Sequence, residues 1–245
     1  MLASLGREIT KGSPAPGQTL ETEDVLAARL GAGRGVVREA VRMLAAKGMV
    51  VAKPRSGTRV RPRDEWILMD REVLGWLISE GPDPALLDAL AETRAVIEPH
   101  AAAFAALRAD DVARRRIEAA LAGMLDPARD ARERAASDVE FHLAILDATA
   151  NPVLRSLRGA LRAVLEAVFE IAVQHPDWVR GNWEAHRAVG QAIANRDPDA
   201  ARTAMERLLN FTRTRLASQS AGKERLPQAA WPGSARENRN GRGHP

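Results

Sequence analysis

Asp138 and His142 stand four residues apart in SDVEFHLAIL, and His186 follows in NWEAHRAVGQAI. On a helix, that spacing puts a carboxylate and an imidazole on one face at neighbouring heights. The three donors suit a divalent metal or the hydroxyls of a polar ligand. Arg94 and Glu98 form a second polar i, i+4 pair in AETRAVIEPH, and an arginine fork suits a carboxylate. The same spacings also serve ordinary ends. A single helical histidine is commonly a packing or surface residue, and Arg94 with Glu98 makes an ordinary surface pair worth about 0.3 kcal/mol. A further grouping is basic: Arg34, Arg38 and Arg42 recur every four residues in GRGVVREAVRMLAA, and Arg55, Ser56, Gly57 and Arg59 follow in KPRSGTRV. Arginine can fork two hydrogen bonds to guanine or clamp a phosphate, although a basic helix face is often merely solvated.

These residues need elements to hold them. Leu2, Leu5 and Ile9 mark a short first helix that SPAPG at 13–17 breaks. Thr22 can N-cap a second helix reaching about Leu30, with Glu23 and Asp24 in the first turn, where the helix dipole favours acids. Gly31, Ala32 and Gly33 make a tight turn into a third helix from Arg34 to Lys47, with Val37, Val41 and Leu44 on its apolar stripe and Gly48 as the stop. Two β-branched runs then flank Pro54, Arg55, Ser56 and Gly57, a hairpin signal. Helix, turn, helix and hairpin together predict a winged helix-turn-helix over 1–63. Residues 64–83 form a linker or short helix in which Trp66, Leu68 and Trp76 pack between two units. Helical stripes recur at about 84–107, 110–125, 130–150, 152–174, 178–195 and 198–217, punctuated by Asp110, Asp130 and Asp197. With no strand signal among them, 84–217 reads as an antiparallel all-α bundle, an effector-binding and dimerisation unit. Residues 218–245, rich in Gly, Pro, Asn and Arg, read as a disordered basic tail. The fold class is therefore mostly α.

Composition supports that architecture. Phe, Trp and Tyr make up only 4% of the 245 residues, against 45% apolar residues in all, which favours helices over sheets. The absence of cysteine excludes a disulfide framework, a thiolate metal site and a cysteine nucleophile. No run approaches the ~18 apolar residues of a membrane span, and a soluble cytoplasmic protein is expected. The net charge of +4 is unevenly spread. Residues 1–63 hold 12 basic and 5 acidic side chains, 64–217 hold 19 and 25, and 218–245 hold 5 and 2. A basic unit ahead of an acidic one implies that the first meets a polyanion. In a helix-turn-helix the second helix lies in the major groove of double-stranded DNA with its N-terminal residues at base edges. Arg34 and Arg38 are placed for that, Arg42 faces the backbone, and the Arg55–Arg59 wing suits the minor groove or its phosphates.

Residues 4–62, through LGREITKG, PGQTL, LAARLGAGRGVVREAVRMLAAKGMV and RSGTRV, resemble the DNA-binding domain of the GntR family of bacterial transcription regulators. Gly33 and Gly35 stand where members usually carry Ser and a small polar residue or Pro, and Asp24 where many carry Arg. The missing capping hydroxyl costs ~1 kcal/mol of helix stability. Residues 70–216 are similar to the FCD domain, the ligand-sensing bundle of the FadR subgroup. The likeness runs through Leu74, Arg94 with Glu98-Pro99, Asp138-x-x-x-His142, Asn151-Pro152-x-Leu154, His186 with Ile193, and Asp197-x-x-x-Ala201 with Met205. It implies a DNA-binding set of Thr22, Arg34, Arg38, Arg42, Arg55, Ser56, Gly57 and Arg59. The implied effector set is Arg94, Glu98, Asp138, His142 and His186, and Asp138, His142 and His186 match three ligands of a divalent, zinc-like metal site. Leu208 stands in place of the usual third histidine, which weakens a metal site and leaves a metal-free one open.

The text around DREVLGWLISEGPDPALLDALAETRAVIEPHAA looks most like members that answer to sugar acids. The resemblance therefore implies a homodimeric regulator, a repressor of sugar-acid catabolic genes, bound to a palindromic operator and released by an aldonate- or hexuronate-type acid. The alternative effector is a lactate-like hydroxy acid or a dicarboxylate bound through a metal. A helical metal-dependent hydrolase or isomerase on Asp138, His142 and His186 is the competing class. It lacks an evident general base with a supporting group and leaves the winged helix unexplained. His100 reads as a packing residue, His175 as a helix-end cap and His244 as part of the tail.

Overall fold

A computed structural model of the chain describes residues 1–53, 56–79, 83–172 and 183–220. The N-terminal unit opens with α1 (Leu2–Thr10), α2 (Glu23–Arg29) and α3 (Arg34–Ala46), followed by the antiparallel strands β1 (Val50–Lys53) and β2 (Gly57–Val60). Thr22 caps α2 by accepting from the Val25 amide at 3.4 Å. Gly31 at φ +62° and Gly48 at φ +74° end α2 and α3, a left-handed conformation that costs glycine nothing. At Gly48 a Cβ would also lie 2.6 Å from the Glu65 carbonyl oxygen. Val37, Ala40 and Leu44 form the buried stripe of α3, with Val41 half-buried. The hairpin pairs Val50 with Val60 and Val51 with Arg59, and Thr19 adds a bridge to Arg59. This is the winged helix that the sequence predicts. Arg55 lies outside the described residues.

After a 3-10 turn at Arg63–Glu65, α4 (Arg71–Ser79) packs on α1. Trp66, Val73, Leu74 and Trp76 are buried in the same core as Leu5, Ile9 and Leu44. Trp76 lies so close to α1 that a Cβ on Gly6 would land on its indole ring. That core continues into Leu86, Leu90, Ala163 and Val164 of the following bundle, so α4 joins the two units through buried apolar surface. Lys47, at the end of α3, reinforces the join: its Nζ donates to Asp70 Oδ2 at 2.8 Å and lies 2.7 Å from Glu72 Oε2.

The bundle comprises α5 (Pro84–Arg108), α6 (Asp111–Leu125), α7 (Ala131–Ala148), α8 (Pro152–Ser156), α9 (Arg158–Ala172), α10 (Trp183–Ala194) and α11 (Pro198–Ser220). The aspartates read as punctuation act as caps. Asp110 accepts from Ala113 N at 2.7 Å, Asp197 accepts from Ala200 N at 2.9 Å, and Asp130 closes a capping box with Glu133. α5 packs on α7 and α11, and α10 packs on α5, α6 and α11. Ala102, Phe141, Leu146, Ile193 and Met205 fill the interior.

Several expectations need correction. The predicted helix over 152–174 breaks at Leu157, where a three-residue turn bond from the Leu157 amide to the Leu154 carbonyl at 3.0 Å separates α8 from α9. The helix of 198–217 continues through Ser220, so the first three residues of the expected tail are helical. His100 is exposed and does not pack. His175 and His244, residues 221–245, and the predicted helix start at 178 lie outside the described residues.

Candidate functional site

Three helices bring five polar side chains together inside the bundle. α5 contributes Arg94 and Glu98 one turn apart, α7 contributes Asp138 and His142, and α10 contributes His186. Arg94, Glu98, His142 and His186 are each at most 5% exposed, among neighbours that are otherwise apolar. Asp138 retains a third of its side-chain exposure and forms the open edge of the group. Arg94 Nε donates to Glu98 Oε1 at 2.5 Å, and His142 Nδ1 lies 2.5 Å from Glu98 Oε2. On the other side, His186 Nε2 lies 2.7 Å from Asp138 Oδ1, and His142 Nε2 lies 3.9 Å from the same oxygen. The Phe141 ring meets both imidazoles edge-on, with centroids 5.6 and 5.4 Å away, and walls the group from the core.

Electrostatics follow from this arrangement. Burial pushes the Glu98 carboxyl up, but the Arg94 guanidinium and His142 outweigh it and hold its pKa down at about 2. Burial acts on Asp138 in the same sense and is likewise overcome, chiefly by His186 and then by His142 and Arg94, so its pKa lies well below the usual carboxylate range. Both acids are therefore anionic at neutral pH. One cationic and two anionic side chains leave the cluster with a single net negative charge when the imidazoles are neutral.

Glu98 accepts from Arg94 through one carboxylate oxygen and sets the other 2.5 Å from His142 Nδ1. His142 thus turns Nδ1 toward Glu98 and Nε2 toward Asp138. A carboxylate behind an imidazole is the usual support of a metal-ligating histidine. One donor atom each from Asp138, His142 and His186 lies within 4.8 Å of the other two. A cation bound at about 2.0–2.2 Å from each ligand holds them roughly 3 Å apart, so small side-chain adjustments suffice. The donor set fits a divalent ion. Leu208, 1% exposed, belongs to the apolar core and supplies no fourth ligand. A separate cavity of about 820 Å³, lined by Arg116, Ser137, Glu140 and Asp147 among others, opens on another face of α7 and includes none of the five.

The basic residues of the N-terminal unit occupy its surface. Arg34, Arg38 and Arg42 line α3 at four-residue intervals, each with more than 70% of its side chain exposed. Ser56, Gly57 and Arg59 are exposed on the hairpin, with Gly57 at φ +75°. Thr22 serves as the α2 cap. Three further residues share this surface. Val36, 55% exposed, stands between Arg34 and Arg38, an apolar side chain of the kind that meets a thymine methyl. Asp24 Oδ1 lies 2.7 Å from Arg34 Nε, and Glu23 Oε2 accepts from Arg38 Nε at 3.1 Å. In the sequence these acids register as favourable charges at a helix start, with Asp24 also replacing the arginine of many family members; contacts spanning ten and fifteen residues follow from the crossing of α2 and α3.

Comparison with known proteins assigns a family to each unit. Residues 2–60 match the model of the bacterial regulatory proteins, gntR family, and residues 89–211 match that of the FCD domain. The galactonate operon transcriptional repressor of Escherichia coli K12 is 32% identical over 88% of this chain and 95% of its own. The putative L-lactate dehydrogenase operon regulatory protein of the same organism is 33% identical over 82% and 78%. A solved structure described as Lar, which controls expression of the Listeria monocytogenes agr system, shares the fold. Its TM-score is 0.64 at 16% identity, covering 89% of this chain and 95% of that one.

Proposed function

Since the chain belongs to the GntR family of bacterial regulatory proteins and carries an FCD domain, it is a ligand-responsive DNA-binding transcriptional regulator and not an enzyme, and we propose that it represses sugar-acid catabolic genes and leaves its operator when the acid binds. In this reading residues 1–63 form the DNA-binding unit. Residues 84–217 form the effector-binding and dimerisation unit, 64–83 connect them, and the basic tail from 218 is dispensable for operator choice. The protein works in the cytoplasm as a homodimer on a palindromic site.

The observation that carries the proposal is the cluster of buried Arg94, Glu98, His142 and His186 with half-buried Asp138 at its edge, in a bundle whose interior is mainly apolar. Unpaired polar groups facing an apolar ligand would cost about 1–3 kcal/mol each, so the cluster favours a small, polyhydroxylated acid over a long acyl chain. Asp138, His142 and His186 would hold a divalent ion there, which supplies a Lewis-acidic anchor for the effector carboxylate when bound. Its charge would turn the cluster from net negative to net positive, the sign a monocarboxylate requires. Arg94 adds a guanidinium, and Glu98, beside His142, completes the effector set. The likeness to the galactonate operon repressor favours an aldonate. The likeness to the lactate operon regulator favours the second reading, a smaller hydroxy acid held through the same ion.

Binding switches the protein only if it favours one arrangement of the two units, and the buried core shared by α1, α4, α5 and α9 is the physical route between them. The test is a thermal-shift panel of aldonates, uronates, lactate and dicarboxylates, each with and without chelator. A ligand at 100 times its Kd adds about 2.7 kcal/mol of stability. A sugar acid that raises the melting temperature, with the shift lost on chelation, supports the proposal. Response to lactate alone selects the second reading, and silence to all of them refutes both.

A further inference from the structure

We propose that Glu23 and Asp24 determine the DNA specificity of this protein by occupying the Nε edges of Arg34 and Arg38, the two N-terminal arginines of its reading helix. The contacts are Asp24 Oδ1 to Arg34 Nε at 2.7 Å and Glu23 Oε2 to Arg38 Nε at 3.1 Å. Both arginines project from the first two turns of α3, and both acids from the first turn of α2. Neither pair belongs to a core. Arg34 and Arg38 keep 72% and 73% of their side-chain exposure, Asp24 61% and Glu23 38%. Pairs so exposed add little stability.

The pairing acts in two ways when DNA approaches. First, two arginines offset by two carboxylates present a locally neutral reading surface. Non-specific affinity comes almost entirely from phosphate neutralisation and counterion release, so the acids weaken binding to sequences that offer only phosphates, and their own charges repel those phosphates. Second, an arginine held by its Nε edge turns its terminal Nη groups outward. Those groups reach guanine O6 and N7 in a forked contact, so the acids support the orientation that reads a base and oppose collapse of the side chain onto the backbone. Gly33 and Gly35 flank Arg34 with open space where side chains would stand, so a neighbouring side chain does not aim it. The carboxylates are left to do so.

The experiment uses the full-length chain. The wild type first selects its preferred site from a randomised 24-base-pair duplex library; binding of that site and of mixed-sequence duplex is then measured by fluorescence anisotropy from ~50 to ~300 mM salt. The Glu23→Gln, Asp24→Asn double variant should bind mixed-sequence DNA about tenfold tighter, steepen the salt slope by one to two counterions and lower the ratio of selected-site to mixed-sequence affinity about tenfold. Repeating the selection with the variant should return a consensus relaxed at the positions the wild type reads most strictly. The Asp111→Asn, Asp199→Asn double variant, which removes two remote acids that are 74% and 88% exposed, controls for net charge, and far-ultraviolet circular dichroism controls for folding. An unchanged affinity ratio and consensus, or changes no larger than those of that control, would overturn the proposal. A wild type that enriches no sequence would instead remove the DNA-reading premise, and the proposal with it.

Discussion

Replacing Glu98 with glutamine should cost the folded bundle about 3 kcal/mol, through charge rather than volume. Two views of the same buried contacts give that magnitude. The glutamine fills the same space but leaves the Arg94 guanidinium, 6% exposed at its side chain, without its counter-charge, and removing one partner of a buried ion pair typically costs 3–5 kcal/mol. The Glu98 pKa also lies at about 2 in the fold against an ordinary 4.5. At 1.36 kcal/mol per pKa unit, that displacement corresponds to about 3 kcal/mol. The sign follows from the depression. The unfolded chain binds the proton more readily, so the stabilisation is fully present above pH 4.5 or so and is lost as pH falls through about 2. Urea unfolding followed by circular dichroism, with chelator present throughout, measures both effects. At pH 7 the variant's midpoint should fall with an unchanged slope, and between pH 5 and 3 the gap between the two proteins should narrow. A loss below about 1 kcal/mol at pH 7, or a gap that widens in acid, would refute the assignment of Glu98 as the buried counter-charge. Arg94→Met with Glu98→Leu should recover much of the loss, because a buried pair exchanged for apolar groups is often neutral.

Arg38→Ala should weaken binding to the selected operator about 10- to 100-fold, the worth of one forked base contact, as read by anisotropy at ~150 mM salt. Asp138→Asn should abolish zinc uptake measured by competition with a chromophoric chelator, together with the thermal shift given by the effector, while operator affinity stays within about twofold. Leu208→His restores the histidine that the family resemblance puts at this position and should raise zinc affinity at least tenfold in the same competition. Gly6→Ala drives a methyl into the Trp76 ring and should lower stability by about 1–3 kcal/mol, seen as an earlier thermal transition.

Much of the fold was legible because its signals are local. The Thr22, Asp110, Asp130 and Asp197 caps act within three residues of themselves, and Gly31 and Gly48 mark helix ends through their own backbone. The break at Leu157 falls beside no proline, and Gly159 lies inside α9; it arises where one turn bond replaces the helical pattern. For the site, i, i+4 spacing put Arg94 with Glu98 and Asp138 with His142. It did not show that Glu98 reaches across from α5 to His142 on α7, because that contact depends on the packing of two helices forty residues apart. The pattern placed Glu98 in the effector set without showing that it also faces His142. The same limit hid Glu23 and Asp24, whose meaning lies in arginines across the turn, and misplaced His100, whose Ala-rich surroundings gave no hint of which face of α5 meets solvent.

The central claim, that a sugar acid bound at this polar cluster releases the protein from DNA, is tested most directly by titrating an aldonate into the complex with the selected operator. Wild type and Asp138→Asn should be followed side by side by anisotropy. The account predicts release of the wild type with a loss of operator affinity of tenfold or more, suppressed by chelator, and no release of Asp138→Asn at the same concentrations. Equal release of both proteins, or retention of the wild type on DNA at a saturating aldonate concentration shown by its thermal shift, would contradict it.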